Sequence, residues 1–140
     1  MLRRLRTFAR LDSERRSVFV KAVLLLPLVR PALRILGFKR LRDRIEARPC
    51  RPQVSREERR WVALVAEMVE VAGRRGLIRA NCLDRSLLLH WIFARRGIPV
   101  ELRIGVDRSD DGLRAHAWIE CAGEVLGDPT EVARVFGVLE

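Results

Sequence analysis

Three residue types that a thiol nucleophile needs stand in order in the second half of the chain: Cys82, His116 and Asp128. Cys82 opens the stretch Asn81-Cys82-Leu83-Asp84-Arg85-Ser86-Leu87-Leu88-Leu89-His90-Trp91. Asn81 is a good helix N-cap, and Leu83, Leu87, Leu88 and Trp91 recur at the three-and-four spacing of a buried helical face. Gly97, with Arg95 and Arg96 before it and Pro99 after it, closes that helix. Cys82 therefore falls in the first turn, where unpaired backbone N–H groups and the helix dipole favour an anion, and the thiolate is the reactive form of a thiol. An isolated cysteine is more often buried and inert than nucleophilic.

The downstream residues turn the balance toward chemistry. Leu113, Ala115, Ala117, Ile119 and Cys121 alternate with His116, Trp118 and Glu120, which predicts a strand carrying His116 on the side opposite the apolar set. The pair Ala122-Gly123 then makes a tight hairpin into a short strand from Glu124 to Gly127, and Asp128 follows, able to return near the His116 end. A helix-borne Cys, a strand-borne His and an acid after the neighbouring strand make a nucleophile, a base and an orienting group.

The ordered landmarks Cys82-Leu83-x-Arg85-Ser86-Leu87, Arg96-Gly97-Ile98-Pro99, Ala115-His116-Ala117-Trp118-x-Glu120 and Asp128 resemble the transglutaminase-like leader peptidases of lasso-peptide biosynthesis. The resemblance covers roughly residues 55 to 140. It implies Cys82 as nucleophile, His116 as general acid and base, and Asp128 as the residue orienting His116. It also implies an α+β, papain/transglutaminase-like fold: N-terminal helices plus a small antiparallel sheet packed against the helix bearing the nucleophilic Cys. The implied reaction is proteolysis that removes the leader from a ribosomally made precursor peptide, so that an ATP-dependent macrolactam cyclase can close the core. The precursor would be delivered by a separate leader-recognition protein. Asp84 and Arg114 fall at variable positions of the pattern.

Apart from the resemblance, the residues support a cysteine hydrolase or acyl transferase, with oxyanion stabilisation from the Cys82 N–H and a neighbour at the helix start. Two other readings share the fold: transamidation, or a non-catalytic adaptor that binds an anionic partner through residues 1 to 48.

A length of 140 residues suits one domain, and an apolar fraction of 49% argues against disorder. The net charge of +10 is unevenly spread. Residues 1 to 60 hold 18 Lys+Arg against 6 Asp+Glu, and residues 61 to 140 hold 10 against 12. The expected organisation is a basic helical portion over 1–54, which docks a partner within the same compact unit, and a transglutaminase-like core over 55–140. Cysteines at 50, 82 and 121 show no paired spacing, and with two histidines no zinc site or other cofactor is expected. The odd count fits a reducing cytoplasm. Cys121 is expected in the core and Cys50 is incidental.

The run from Val18 to Val29 is the most apolar in the chain, but about a dozen residues interrupted by Lys21 and Pro27 fall short of the roughly 20 that span a bilayer. Arg30-Pro31 follows where a signal peptide would carry small cleavage-site residues. Asp12 can cap a helix from Ser13, and Pro31 suits the start of a further helix with Leu33, Leu36, Leu41 and Ile45 as its stripe and Gly37 as a break. The charges crowding the other faces point to an anionic partner, either a protein or peptide or weakly a membrane leaflet met peripherally. Nucleic acid is disfavoured, since no reading motif or aromatic interleaving accompanies the arginines.

Arg48 to Gln53, with two prolines, reads as a linker. Ser55-x-x-Glu58 is a capping box for a helix expected to bury Trp61, Leu64, Val65 and Met68. Three antiparallel strands are predicted over roughly 98–106, 113–121 and 124–127, with Asp107 to Gly112 an exposed turn lacking the spacing of a calcium loop. His90 reads as a structural or surface residue. Thr130 to Leu139 is expected to be a short helix or irregular cover.

Overall fold

The computed structural model describes residues 12–109, 112–127 and 137–138. Four helices, α1 (Ser13–Leu36), α2 (Phe38–Glu46), α3 (Arg56–Arg75) and α4 (Cys82–Arg95), precede four strands, β1 (Glu101–Ser109), β2 (Gly112–Cys121), β3 (Glu124–Leu126) and β4 (Gly137–Val138). The strands form one sheet in the order β3-β2-β1-β4, with every pair antiparallel. The result is an α+β architecture in which α1, α3 and α4 share one core with Leu102, Ile119, Cys121 and Leu126 of the sheet.

Local signals explain most helix ends. Asp12 accepts from Arg15 N at 2.9 Å, and Ser55 and Glu58 exchange the two bonds of a capping box. At the end of α4, Gly97 N bonds to Ala94 O and Ile98 N to Phe93 O, both at 3.0 Å, with Gly97 at φ +67°. This is a Schellman motif, and buried Ile98 and Phe93 supply its apolar contact. Arg51 N bonds to Gly97 O and its guanidinium to Arg96 O, so the segment after α2 is fastened to this corner.

Three expectations are corrected. α1 runs unbroken through Pro27 and Pro31 and ends at Gly37, φ +75°, where the sequence suggested a new helix at Pro31. Each interior proline removes a helix bond at a cost of about 3 kcal/mol, but Ala22, Leu26 and Val29 are buried along one continuous face that spans the first of them. On α3 the buried face is Val62, Val65, Ala66, Met68, Val69 and Ala72, while Trp61 and Leu64 are only half-buried. Trp61 lies at the helix edge, where the Arg96 guanidinium covers its ring at 3.7 Å and Phe93 meets it edge-on. In the sheet, β1 begins at Glu101 and continues to Ser109, and Asp107 is a strand residue bonded to Arg114 at 2.8 Å. Residues 110 and 111 of the expected turn lie outside the described residues. Gly137–Val138 pairs with Val106 and Gly105 as a strand; the remainder of 130–139 is likewise outside.

Among the described residues no helix is long and apolar enough to cross a membrane, and no cluster of ligating side chains could hold a metal ion.

His90, on α4, is 3% exposed and its Nδ1 has no hydrogen-bond partner. Burial, reinforced by the Arg42 charge, pushes its pKa down from 6.5 to about 4. The imidazole is therefore neutral in the folded chain and takes a proton more readily when unfolded. Its stabilising contribution is complete above pH 6.5 and is lost as pH falls toward 4. That interval corresponds to roughly 3 kcal/mol. Chemical denaturation measured across this window should show stability falling with acid in the wild type, and His90→Leu should flatten the slope.

Candidate active site

Cys82 is the first residue of α4 and is half-buried, in contrast to buried Cys121, whose thiol pKa burial raises, and exposed Cys50. The turn it occupies is held from three directions. Asn81 Oδ1 accepts from Asp84 N at 2.8 Å, and Asp84 Oδ2 accepts from Asn81 N at 3.1 Å, which closes a capping box. The same Asp84 oxygen receives Arg30 Nε of α1 at 3.0 Å, while Arg30 Nη2 bonds to Arg79 O. On the α3 side, Arg85 pairs with Glu70 at 3.0 Å and crosses Gly73, where an added Cβ would stand 2.6 Å from Arg85 Cδ.

Asp84 is 1% exposed, and a carboxylate so placed needs its partners. It takes up one share of the anion-favouring field of the helix start, and Arg30 sets a compensating positive charge beside it. The cap consumes Asp84 N, and Arg85 N bonds to Asn81 O. The N–H groups of Cys82 and Leu83 are taken by neither.

His116 lies on β2, half-buried, with its ring stacked on Trp118 at 6.2 Å and 18°. Its partner across the β1 ladder is Gly105, which adds no side chain to that cross-strand pair and is itself buried. Trp118 shares that face and is fully buried: the indole donates to Glu120 at 2.9 Å, and Arg103 pairs with Glu120 and Glu101. On the other face only Ala117, Ile119 and Cys121 are buried, and Leu113 and Ala115 extend beyond the core into solvent.

One hydrogen bond joins the two halves. Ser86, one turn after Cys82, donates its buried hydroxyl to Ala117 O at 3.0 Å. Ala117 adjoins His116 and lies two residues beyond the last β2–β3 pair, Ile119 with Leu126. The structure thus brings the first two turns of α4 to the strand position next to His116. Asp128 lies outside the described residues; the described chain before it ends at Gly127, just after the residue paired with Ile119. The hairpin expected there is present, with Ala122 and Gly123 both at positive φ as a two-residue primed turn requires.

Sequence reasoning missed Arg30, Asp84 and Ser86 as positioning residues. An Asn-x-x-Asp capping box was readable locally, but the partners at 30 and 117 carry no local signal.

An accessible thiol at a helix start, with an imidazole one residue from a helix–strand clamp, on α+β elements, defines a candidate cysteine-dependent acyl-transfer fold. The chain matches the Transglutaminase-like superfamily over residues 25–140, well over half its length, and belongs to that family. Activities associated with this superfamily, cysteine peptidase and acyltransferase, agree with that class. No match was found among curated proteins or among solved structures.

Removing Arg30 leaves a buried carboxylate with the Asn81 N–H and Asp84's own turn alone. Arg30→Ala should lower unfolding stability by about 1–3 kcal/mol, discounted because the arginine is half exposed. Ser86→Ala should cost about 1–2 kcal/mol. Denaturant titration reads both, and the clamp would be judged irrelevant to the site if Ser86→Ala left Cys82 alkylation rate unchanged.

Proposed function

We propose that the chain is a cysteine peptidase that removes the leader from a ribosomally synthesised lasso precursor peptide. The observation that carries this reading is the Ser86–Ala117 hydrogen bond, which couples the turn following Cys82 to the residue beside His116 in a member of this superfamily. Cys82 gives its thiol proton to His116, Sγ attacks the scissile carbonyl to form a C–S bond, and the oxyanion is met by backbone N–H groups. The N–H groups of Cys82 and Leu83, left over by the cap, are the donors we assign. His116 then protonates the departing amine as the C–N bond breaks. It next takes a proton from water, whose oxygen displaces the thiol from the acyl-enzyme. Asp128 holds the imidazole in the tautomer this requires.

The half-buried state of Cys82 suits a nucleophile better than the burial of Cys121 does. Acyl transfer to an amine is the second reading, favoured by the superfamily itself, and differs only in which nucleophile resolves the acyl-enzyme.

Delivery by a separate leader-recognition protein belongs to the same proposal, with α2 as its docking element. Arg42 is engaged there by Asp43, Glu46 and the Phe38 ring, whereas Arg40 and Arg44 are exposed and form no ion pair among the described residues. Arg40→Glu with Arg44→Glu should slow partner-dependent processing about tenfold or more while the melting temperature holds. Unchanged processing would remove α2 from delivery.

The reaction itself is tested by mass spectrometry of precursor peptide incubated with the protein and the leader-binding partner, wild type against Cys82→Ala. Leader loss by wild type alone, with one water added across the cleaved bond, is the expected result. A product cross-linked to an amine would establish transamidation, and equal processing by Cys82→Ala would move the protein to an adaptor role.

A further inference from the structure

α1 is apolar on both sides. Its inner face packs into the core through Ala22, Leu26 and Val29. Its outer face carries Val20, Leu24, Leu28 and Ile35, with Leu24 and Leu28 61% and 59% exposed and Ile35 80%. These positions, with exposed Pro31 between the last two, follow spacings of three and four and fall on one side of the helix. The fifteen steps from Val20 to Ile35, at about 1.5 Å each, give a ridge of about 22 Å. Leu28 also borders an apolar cleft of about 180 Å³ with Leu25, Ala32, Leu41 and Trp91, which widens the patch. An exposed apolar surface of this continuity marks an interaction face.

The charge around it is one-sided. From Arg15 to Arg42 the sequence holds eight basic residues and no acid. Arg15 pairs with Glu67, Arg30 with Asp84, and Arg42 with Asp43 and Glu46. Lys21, Arg34, Lys39 and Arg40 are exposed and form no ion pair among the described residues. By helical angle Lys21 flanks the ridge on one side and Arg34 on the other. Residues 1 to 11 add four arginines and no acid to the sequence.

We propose that this outer face of α1 docks the protein on an anionic membrane surface, with the helix lying flat, its aliphatic ridge at the headgroup–acyl boundary and the flanking cations at lipid phosphates. The ridge itself is convex and aliphatic, with the aromatic Trp91 confined to the cleft beside Leu28, whereas protein interfaces concentrate their energy in aromatic and arginine anchors seated in pockets. A fluid bilayer accepts such a ridge without a complementary groove, and basic flanks add to apolar insertion on anionic lipid. The proposal does not depend on the peptidase reading.

The test is co-sedimentation of the full chain with phosphatidylcholine vesicles, with and without phosphatidylglycerol. Wild type should partition at least tenfold more strongly to the anionic vesicles, and added salt should weaken the effect. Leu24→Ser with Leu28→Ser, and separately Lys21→Glu with Arg34→Glu, should each reduce partition about tenfold or more at an unchanged melting temperature. Absent binding, equal binding to neutral vesicles, or unaltered binding by both variants would overturn the proposal. So would a ridge-dependent dimer in sedimentation velocity, or ridge-dependent retention of the leader-recognition protein, found without vesicle binding.

Discussion

The buried carboxylate of Asp84 is the constraint on which the active half of the molecule depends. A charge with 1% of its surface exposed is tolerated only where fixed donors meet it, and here they come from Asn81 N in its own turn and Arg30 on α1. That requirement fixes the start of α4 to a residue in the helix, and it links a helix in the basic N-terminal half to the thiol two residues away. Arg85 and Gly73 set the same turn against α3, and Ser86 sets the next against β2. The first two turns of α4 are consequently tied to three other elements, the precision that the nucleophilic role proposed for Cys82 requires, because misplacement by about an ångström costs orders of magnitude in rate.

How much of this could be read from the chain depends on the range of the interaction. Ser55 with Glu58, Asn81 before Cys82, and Gly97 after Arg96 act over a few residues and announce themselves in the sequence. The alternation around His116 likewise assigns it to the face opposite Ala117 and Ile119, because strand periodicity is a local property. Long-range terms were invisible. The bonds from Arg30 to Asp84 and from Ser86 to Ala117 span 54 and 31 residues, and nothing in either neighbourhood specifies the partner.

The misread elements follow the same division. Local propensity breaks α1 at Pro31, yet the helix continues because Leu26 and Val29 before the proline and Leu33 beyond it all pack on the same core. The alternation places Trp118 on the face opposite the apolar set. The indole is buried there because Glu120 satisfies its N–H, His116 stacks on it and Arg103 closes over the carboxylate. In both cases a tertiary contact supplies what the local pattern lacks.

The basic half of the chain divides its charges between two tasks. Arg15, Arg30 and Arg51 are consumed in joining elements: α1 to α3, α1 to α4, and the segment after α2 to α3 and the α4 corner. Their counterions are carboxylates of this chain, so they contribute to cohesion and little to any outward field. Lys21, Arg34, Lys39, Arg40 and Arg44 have no such partner among the described residues, and all but Arg44, which stands between Asp43 and Glu46, lie in a stretch of sequence without an acid. A formal charge of +10 thus overstates neither function: part of it builds the support of Cys82, and the remainder is the potential that an anionic surface or peptide would meet first. Because Arg30 belongs to the first group while lying on the helix that carries the second, anything that shifted α1 would be transmitted to the first turn of α4 through a single guanidinium.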